Sequence, residues 1–164
     1  MKLKILVGTV TCNAEHVAQA IQMTCTDLVS VIEIQRMDNL NSNVFNAEKG
    51  KQVIYLVCTS TYGAGDVPDN AQELYDSLDT EPRFLGHVRY GLMALGDQSS
   101  YPETFCFGGK KFDERLQGLG AQRIGEIWCH DAGSSVIAEK AGAAWCRQWL
   151  SDLLQPSKPI YAVT

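Results

Sequence analysis

Five apolar, β-branched stretches divide this chain at intervals too wide for hairpins, and that spacing constrains the fold more than any other feature. They fall at residues 3–7 (LKILV), 29–34 (VSVIEI), 53–57 (VIYLV), 90–95 (YGLMAL) and 124–128 (IGEIW). Helical periodicity fills the segments between them. Val17, Ala18 and Ile21 share one face after Asn13, and Ala71, Leu74, Tyr75 and Leu78 do so after Asp69. Phe112, Leu116 and Leu119 repeat the pattern before Gly120, and Ala141, Ala144, Trp145, Trp149 and Leu153 repeat it near the C-terminus. Strands apolar on both faces and separated by helices imply a parallel sheet covered on both sides, because each right-handed crossover lays its helix on one face. The expectation is an α/β fold with an open, doubly wound sheet of five parallel strands. Ligands on such sheets bind beyond the carboxyl ends of the strands, where the strand order reverses.

At 164 residues the chain matches one domain, expected over residues 1–154 with a tail at 155–164. The polar, Asn-rich stretch 38–50 is expected to be a surface connection, and the tail QPSKPIYAVT to be extended. No run of about 18 apolar residues is present, so no membrane-spanning helix is expected, and the opening MKLKILV is too short for a signal-peptide core. A cytoplasmic monomer is the expectation. Six cysteines are scattered without a CxxC or a Cys/His metal spacing and are expected to be free thiols, with Cys25, Cys58, Cys129 and Cys146 buried. His16, His87 and His130 are isolated and suit surface or capping roles. The net charge of −5, with no basic cluster, argues against nucleic acid as a partner and favours a basic protein.

Three loops follow strands one, three and four. The first is Thr9-Val10-Thr11-Cys12-Asn13-Ala14, at the start of a helix. Unpaired amides, the positive end of the helix dipole and two threonine hydroxyls suit a phosphate without any lysine. The alternative is that Thr11 or Asn13 merely caps the helix. Neither GxxxxGK[ST] nor GxGxxG is present. The second loop, Thr59-Ser60-Thr61-Tyr62-Gly63-Ala64-Gly65-Asp66, combines small residues with an aromatic face; Pro68 ends it and Asp69 is placed to cap the next helix. The third, Leu95-Gly96-Asp97-Gln98-Ser99-Ser100-Tyr101, leads into Pro102-Glu103-Thr104-Phe105-Cys106. Each loop alone is also compatible with a plain turn. Together, at three strand ends of one sheet, they describe a site for a phosphorylated planar heterocycle.

The stretches TVTCNAE, TSTYGAGDVPDNA and ALGDQSSY, the last with FCFGGKKFDERLQGLGAQRI after it, resemble the flavodoxin-like family. The resemblance is greatest to its short-chain branch, the MioC-like flavodoxins, and to the FMN domains of sulfite reductase and cytochrome P450 reductase. It implies a five-stranded parallel sheet of order 2-1-3-4-5 with helices on both faces, and FMN as the cofactor. Thr9, Val10, Thr11, Cys12, Asn13 and Ala14 would hold the phosphate. Thr59, Ser60, Thr61, Tyr62 and Gly63 would form one side of the isoalloxazine site, and Leu95, Gly96, Asp97, Ser99, Ser100 and Tyr101 the other. Tyr62 and Tyr101 would stack on the ring, with Phe105, Cys106 and Asp131 nearby. Two departures stand out: Cys12 occupies the family's glycine position, and Gln98 looks like an inserted residue. The family's long-chain insertion in strand five looks absent.

The implied activity is shuttling of single electrons at low potential between a flavin reductase and an acceptor protein, with no substrate turnover. Asp66, Asp97, Glu103 and the phosphate would disfavour an anionic reduced flavin; one like charge about 6 Å away costs roughly 3 kcal/mol at an effective dielectric near 20. Gly63 is free to turn its peptide toward the flavin N5. Asp66, Asp69, Glu73, Asp76 and Glu103 would form an acidic rim for a basic partner. The other readings are an NAD(P)H:quinone-type FMN oxidoreductase and a flavodoxin-like module that has lost FMN because of Cys12.

Overall fold

The structure is a computed structural model that describes residues 1–155; the remainder of the expected extended tail lies outside the described residues. The chain alternates strand and helix: β1 (Lys2–Gly8), α1 (Asn13–Thr24), β2 (Val31–Arg36), β3 (Val53–Ser60), α2 (Gln72–Thr80), β4 (Arg89–Gly96), α3 (Phe107–Gly118), β5 (Gln122–Arg123), β6 (Trp128–Asp131) and α4 (Ala138–Leu154). Short 3-10 turns at Ser42–Phe45 and Asp69–Ala71 lie in the connections. The sheet is parallel in the order β2-β1-β3-β4-β5, with β6 also on β4. Strand order reverses between β1 and β3, which are paired from Lys2↔Val53 to Gly8↔Thr59.

The central strands carry two cores because alternate side chains leave by opposite faces. Leu3, Ile5, Val7, Ile54, Leu56 and Met93 pack against Val17, Ile21, Trp149 and Leu150 of α1 and α4. Leu6, Tyr55, Val57, Tyr90 and Leu92 pack against Leu74, Leu78, Phe112 and Leu116 of α2 and α3. Each fully buried Leu, Ile or Phe contributes about 1.5–3 kcal/mol. Trp145 and Trp149 stack at 5.8 Å, and Trp149 belongs to the core beneath α1 and α4.

Three local expectations change. The fifth strand is two short pieces, and the apolar run 124–128 is mostly the gap between them. Gly125 there takes φ +76, outside the extended region, and the Ile124 carbonyl accepts from the Trp149 indole at 2.8 Å. The 38–50 connection is not wholly at the surface: Phe45 is fully buried, its ring 5.1 Å from that of Tyr55. Asp69 opens the 3-10 turn instead of capping α2, and the preceding Pro68 offers no side-chain cap.

Candidate functional site

The carboxyl ends of β1, β3, β4 and β6 converge on one cleft of about 480 Å³. β1 can end close against β3 because residue 8 is glycine; a Cβ there would stand 2.4 Å from Thr59 Oγ1. The chain then turns under Asn70, whose Oδ1 accepts from the Thr9 amide at 2.8 Å while its Nδ2 donates to the Val7 carbonyl at 3.2 Å. Thr9 Oγ1 is buried and has no hydrogen-bond partner among the described residues.

Helix α1 begins without a side-chain cap, so Thr11 and Asn13 do not act as caps. Among the described residues no acceptor meets the amides of residues 10–15, while the His16 amide is the first to close a helical bond, to Cys12 O at 3.0 Å. Cys12, at φ 66 and ψ 6, supplies the left-handed turn that starts the helix. A run of unpaired amides at the positive end of a helix is an anion cradle. Val10, Thr11 and Asn13 line the cleft, Cys12 is exposed, and Ala14 is buried with its side chain in the core.

On the β3 side, Ser60, Thr61, Tyr62 and Gly63 line the cleft. Tyr62 and Asp66 exchange two backbone bonds, 2.7 and 2.9 Å, which hold residues 63–65 out as a narrow tip. Gly63 takes φ 51 with open space where a Cβ would lie, so its backbone conformation, not crowding, calls for glycine. Thr61 Oγ1 accepts from the Gly108 amide at 3.1 Å and thereby fixes the loop to α3. Thr59 is fully buried beneath Gly8 and lies outside the cleft wall.

On the β4 side, Leu95, Gly96, Asp97, Tyr101, Phe105 and Cys106 line the cleft. Ser99 and Ser100 point elsewhere: both hydroxyls donate to the Asp97 carboxylate at 2.8 Å, and both amides join them at 3.1 and 3.2 Å. The Ser100 and Ser99 side chains hold the Asp97 carboxyl below the usual carboxylate range. The Tyr101 amide closes the same turn on Asp97 O at 3.0 Å, so the loop accommodates Gln98 and still presents Tyr101 to the cleft. Asp131 is not a lining residue. It accepts from the Gln98 amide at 3.1 Å and the Gly133 amide at 3.0 Å, tying the β4 and β6 loops together.

Several lining residues escaped the sequence reading: Thr104, His130, Ala132, Ala138 and Glu139. The available signal was that a fifth strand must end beside the fourth. His130 is buried and stacked 5.5 Å from Trp128, in place of the surface or capping role expected of it. His87 does have such a role, its Nε2 lying 2.7 Å from Phe45 O. Cys129 is exposed, against expectation, because β6 has only β4 beside it in the described sheet. Cys25, Cys58 and Cys146 are buried, and all six cysteines are free. Burial pushes the Cys58 thiol up to about 12.

The sequence model of the flavodoxin family matches residues 5–145. The chain belongs to that family. Flavodoxin YqcA of Escherichia coli is 45% identical over 94 residues, which is 57% of this chain and 62% of that protein. The alignment thus spans less than two thirds of that relative. The sulfite reductase [NADPH] flavoprotein alpha-component of Vibrio cholerae is 36% identical over 165 residues, covering 99% of this chain but 25% of that protein. A cysteine-to-alanine variant of a flavodoxin from Pseudomonas aeruginosa superposes with a TM-score of 0.77 at 30% identity, covering 94% of this chain and all of that one. Flavodoxin membership implies FMN as the cofactor. The cleft fits it: unpaired amides at one end, next in the chain to the buried, orphaned Thr9 hydroxyl, and aromatics along the walls. Among the described residues, no group of three or more His, Cys, Asp or Glu side chains forms a metal site, and no helix is long and apolar enough to cross a membrane.

Proposed function

We propose that this chain is a short flavodoxin that holds FMN in the β1–β3–β4–β6 cleft and carries single electrons at low potential between a flavin reductase and an acceptor protein, without turning over a substrate. The supporting observation is the uncapped run of amides at residues 10–15, set at the end of the strand where the sheet order reverses. Bound FMN supplies the one-electron chemistry; the protein binds it, tunes it and limits access to it.

In this reading the amides of Val10, Thr11, Cys12, Asn13 and Ala14, with the Thr9 and Thr11 hydroxyls, receive the phosphate. Charge-assisted bonds of this kind contribute about 1.5–3 kcal/mol each. Ser60, Thr61, Tyr62 and Gly63 serve one side of the ring, and Leu95, Gly96, Asp97 and Tyr101 the other, above Phe105 and Cys106. Tyr62 and Tyr101 are 48% and 41% exposed, which leaves their faces available for stacking. Thr59, Ser99, Ser100 and Asp131 act indirectly by shaping the walls. Asp97 places a carboxylate beside the cleft, which favours a low potential.

The partner-facing rim is narrower than its five acids imply. Asp66 pairs with Lys111 at 3.3 Å and Asp76 approaches Arg115 at 3.9 Å, so Asp69, Glu73 and Glu103 carry most of the unneutralised charge. The similarity to a sulfite reductase component supports a protein-to-protein role, exercised in the cytoplasm as a monomer. The chain covers a quarter of that relative.

The test is an absorbance spectrum of the full chain mixed with FMN and passed through gel filtration, then titrated with dithionite. Retained, spectrally shifted flavin is expected; loss of all FMN on the column would overturn the assignment. NADPH oxidation by the purified protein alone would replace the carrier with the quinone-reductase reading.

A further inference from the structure

Cys106, which lines the cleft, and Cys129 both lie beside Ala94 of β4. Cys129 faces Ala94 in the parallel β4–β6 ladder, and residues in register on neighbouring strands leave by the same face. For Ala94 that face is the one under α3, since a Cβ on Gly109 would stand 2.6 Å from the Ala94 Cβ. Cys129 therefore projects toward the start of α3, where Cys106 precedes Phe107. From there Cys106 Sγ lies 3.4 Å from Ala94 O and 4.0 Å from His130 O, the residue after Cys129.

The two thiols lie on the α3 side of the β4–β6 ladder and differ in access: Cys129 is exposed and Cys106 is fully buried. The Cys106 thiol, helped by the Lys110 ammonium, draws Cys129 down to about 7, while Cys106 itself is pushed well above the usual thiol range by Cys129 and by burial. An exposed thiolate backed by a buried thiol is the arrangement that exchange chemistry uses.

We propose that Cys129 and Cys106 form a thiol–disulfide exchange site for small-molecule disulfides, with Cys129 the attacking thiol and Cys106 the resolving one. The Cys129 thiolate attacks one sulfur of the disulfide R–S–S–R, forming a Cys129 mixed disulfide and releasing one thiolate, which takes the proton Cys129 gave up. Cys106 then loses its proton and attacks Cys129 Sγ; the second thiolate leaves and takes that proton. One external disulfide is consumed, two external thiols form, and the Cys106–Cys129 bond ties the start of α3 to β6. The proposal does not depend on FMN, and its readout is separate from flavin binding.

The experiment incubates the full chain with oxidised glutathione, quenches with acid, alkylates free thiols and maps the cysteines by peptide mass spectrometry. The native chain should yield the Cys106–Cys129 disulfide. Cys106→Ser should stop at a glutathione adduct on Cys129, and Cys129→Ser should leave Cys106 a free thiol. Exposed Cys12 reports in each sample that the reagent was active. A persistent Cys129 adduct beside reduced Cys106 in the native chain, or an unreacted Cys129 beside a modified Cys12, overturns the proposal. Should Cys106→Ser fail to fold, the native peptide map alone decides.

Discussion

Asn70 holds the end of β1 from a distance of 61 residues, accepting from the Thr9 amide and donating to the Val7 carbonyl through one side-chain amide. The same Nδ2 also reaches Asp38 Oδ2 at 3.2 Å. Replacing Asn70 with Ala strands a donor and an acceptor, at a cost of about 1–2 kcal/mol. Asn70→Asp keeps the acceptor, loses the donor and sets a carboxylate against Asp38. FMN dissociation constants should therefore rise in the order Asn70, Asn70→Ala, Asn70→Asp, with roughly tenfold for Ala, measured by quenching of flavin fluorescence.

Cys12 sits at φ 66, a region that costs an ordinary side chain about 1 kcal/mol and glycine almost nothing. Cys12→Gly should relieve that strain in the cradle and tighten FMN roughly fivefold in the same titration. Cys12→Val adds a β-branched side chain there and should weaken binding. Equal affinities in all three proteins would separate the backbone at this position from phosphate binding.

Asp97 provides a pH signature. Its folded-state carboxyl titrates below the unfolded value, so the stability it contributes is present above about pH 4 and is lost as pH falls through the lowered folded value. Asp97→Asn removes the charge that four serine donors satisfy. Denaturant midpoints of native and variant chains should differ most near neutrality and converge in acid. A gap that stays constant with pH would place the effect outside the carboxylate's titration.

Asp113 offers a control away from the cleft. Its carboxylate accepts from the Tyr90 hydroxyl at 2.6 Å and pairs with Arg123 at 2.6 Å, joining β4, α3 and β5. Asp113→Ala should lower stability by about 2 kcal/mol in urea unfolding while leaving FMN affinity unchanged. A matching loss of affinity would show that the short β5 also supports the cleft.

The rim reading predicts salt-sensitive electron transfer. With a basic reductase, the rate should fall as ionic strength rises from about 0.01 to 0.5 M, and the slope should flatten in a Glu73→Gln, Glu103→Gln chain. A rate independent of salt would remove steering by these acids.

The sheet was legible because its central strands are buried on both faces, and apolar runs such as 53–57 have no other use. The three loops were legible because they must lie at strand ends. What periodicity could not express was which side chain satisfies which backbone group. Ser99 and Ser100 look like ligand donors in a one-dimensional reading, yet each is already spent on Asp97. The bond from Asn70 to Thr9 exists only once β1 and β3 are neighbours. Likewise, the run 124–128 has strand composition, but Gly125 and the Trp149 indole interrupt it, which displaced the expected fifth strand and hid His130.

That interruption also defines where this sheet tolerates growth. β5 holds Arg89 and Tyr90, and β6 holds the stretch from Met93 to Gly96; between them the backbone leaves the ladder at two exposed residues, Gly125 and Glu126. Residues inserted there would extend into solvent without changing the register of either piece or the position of the cleft. A peptide epitope or a small folded module could be grafted at that joint, making the edge of the sheet an attachment point that leaves the cleft end of the molecule undisturbed.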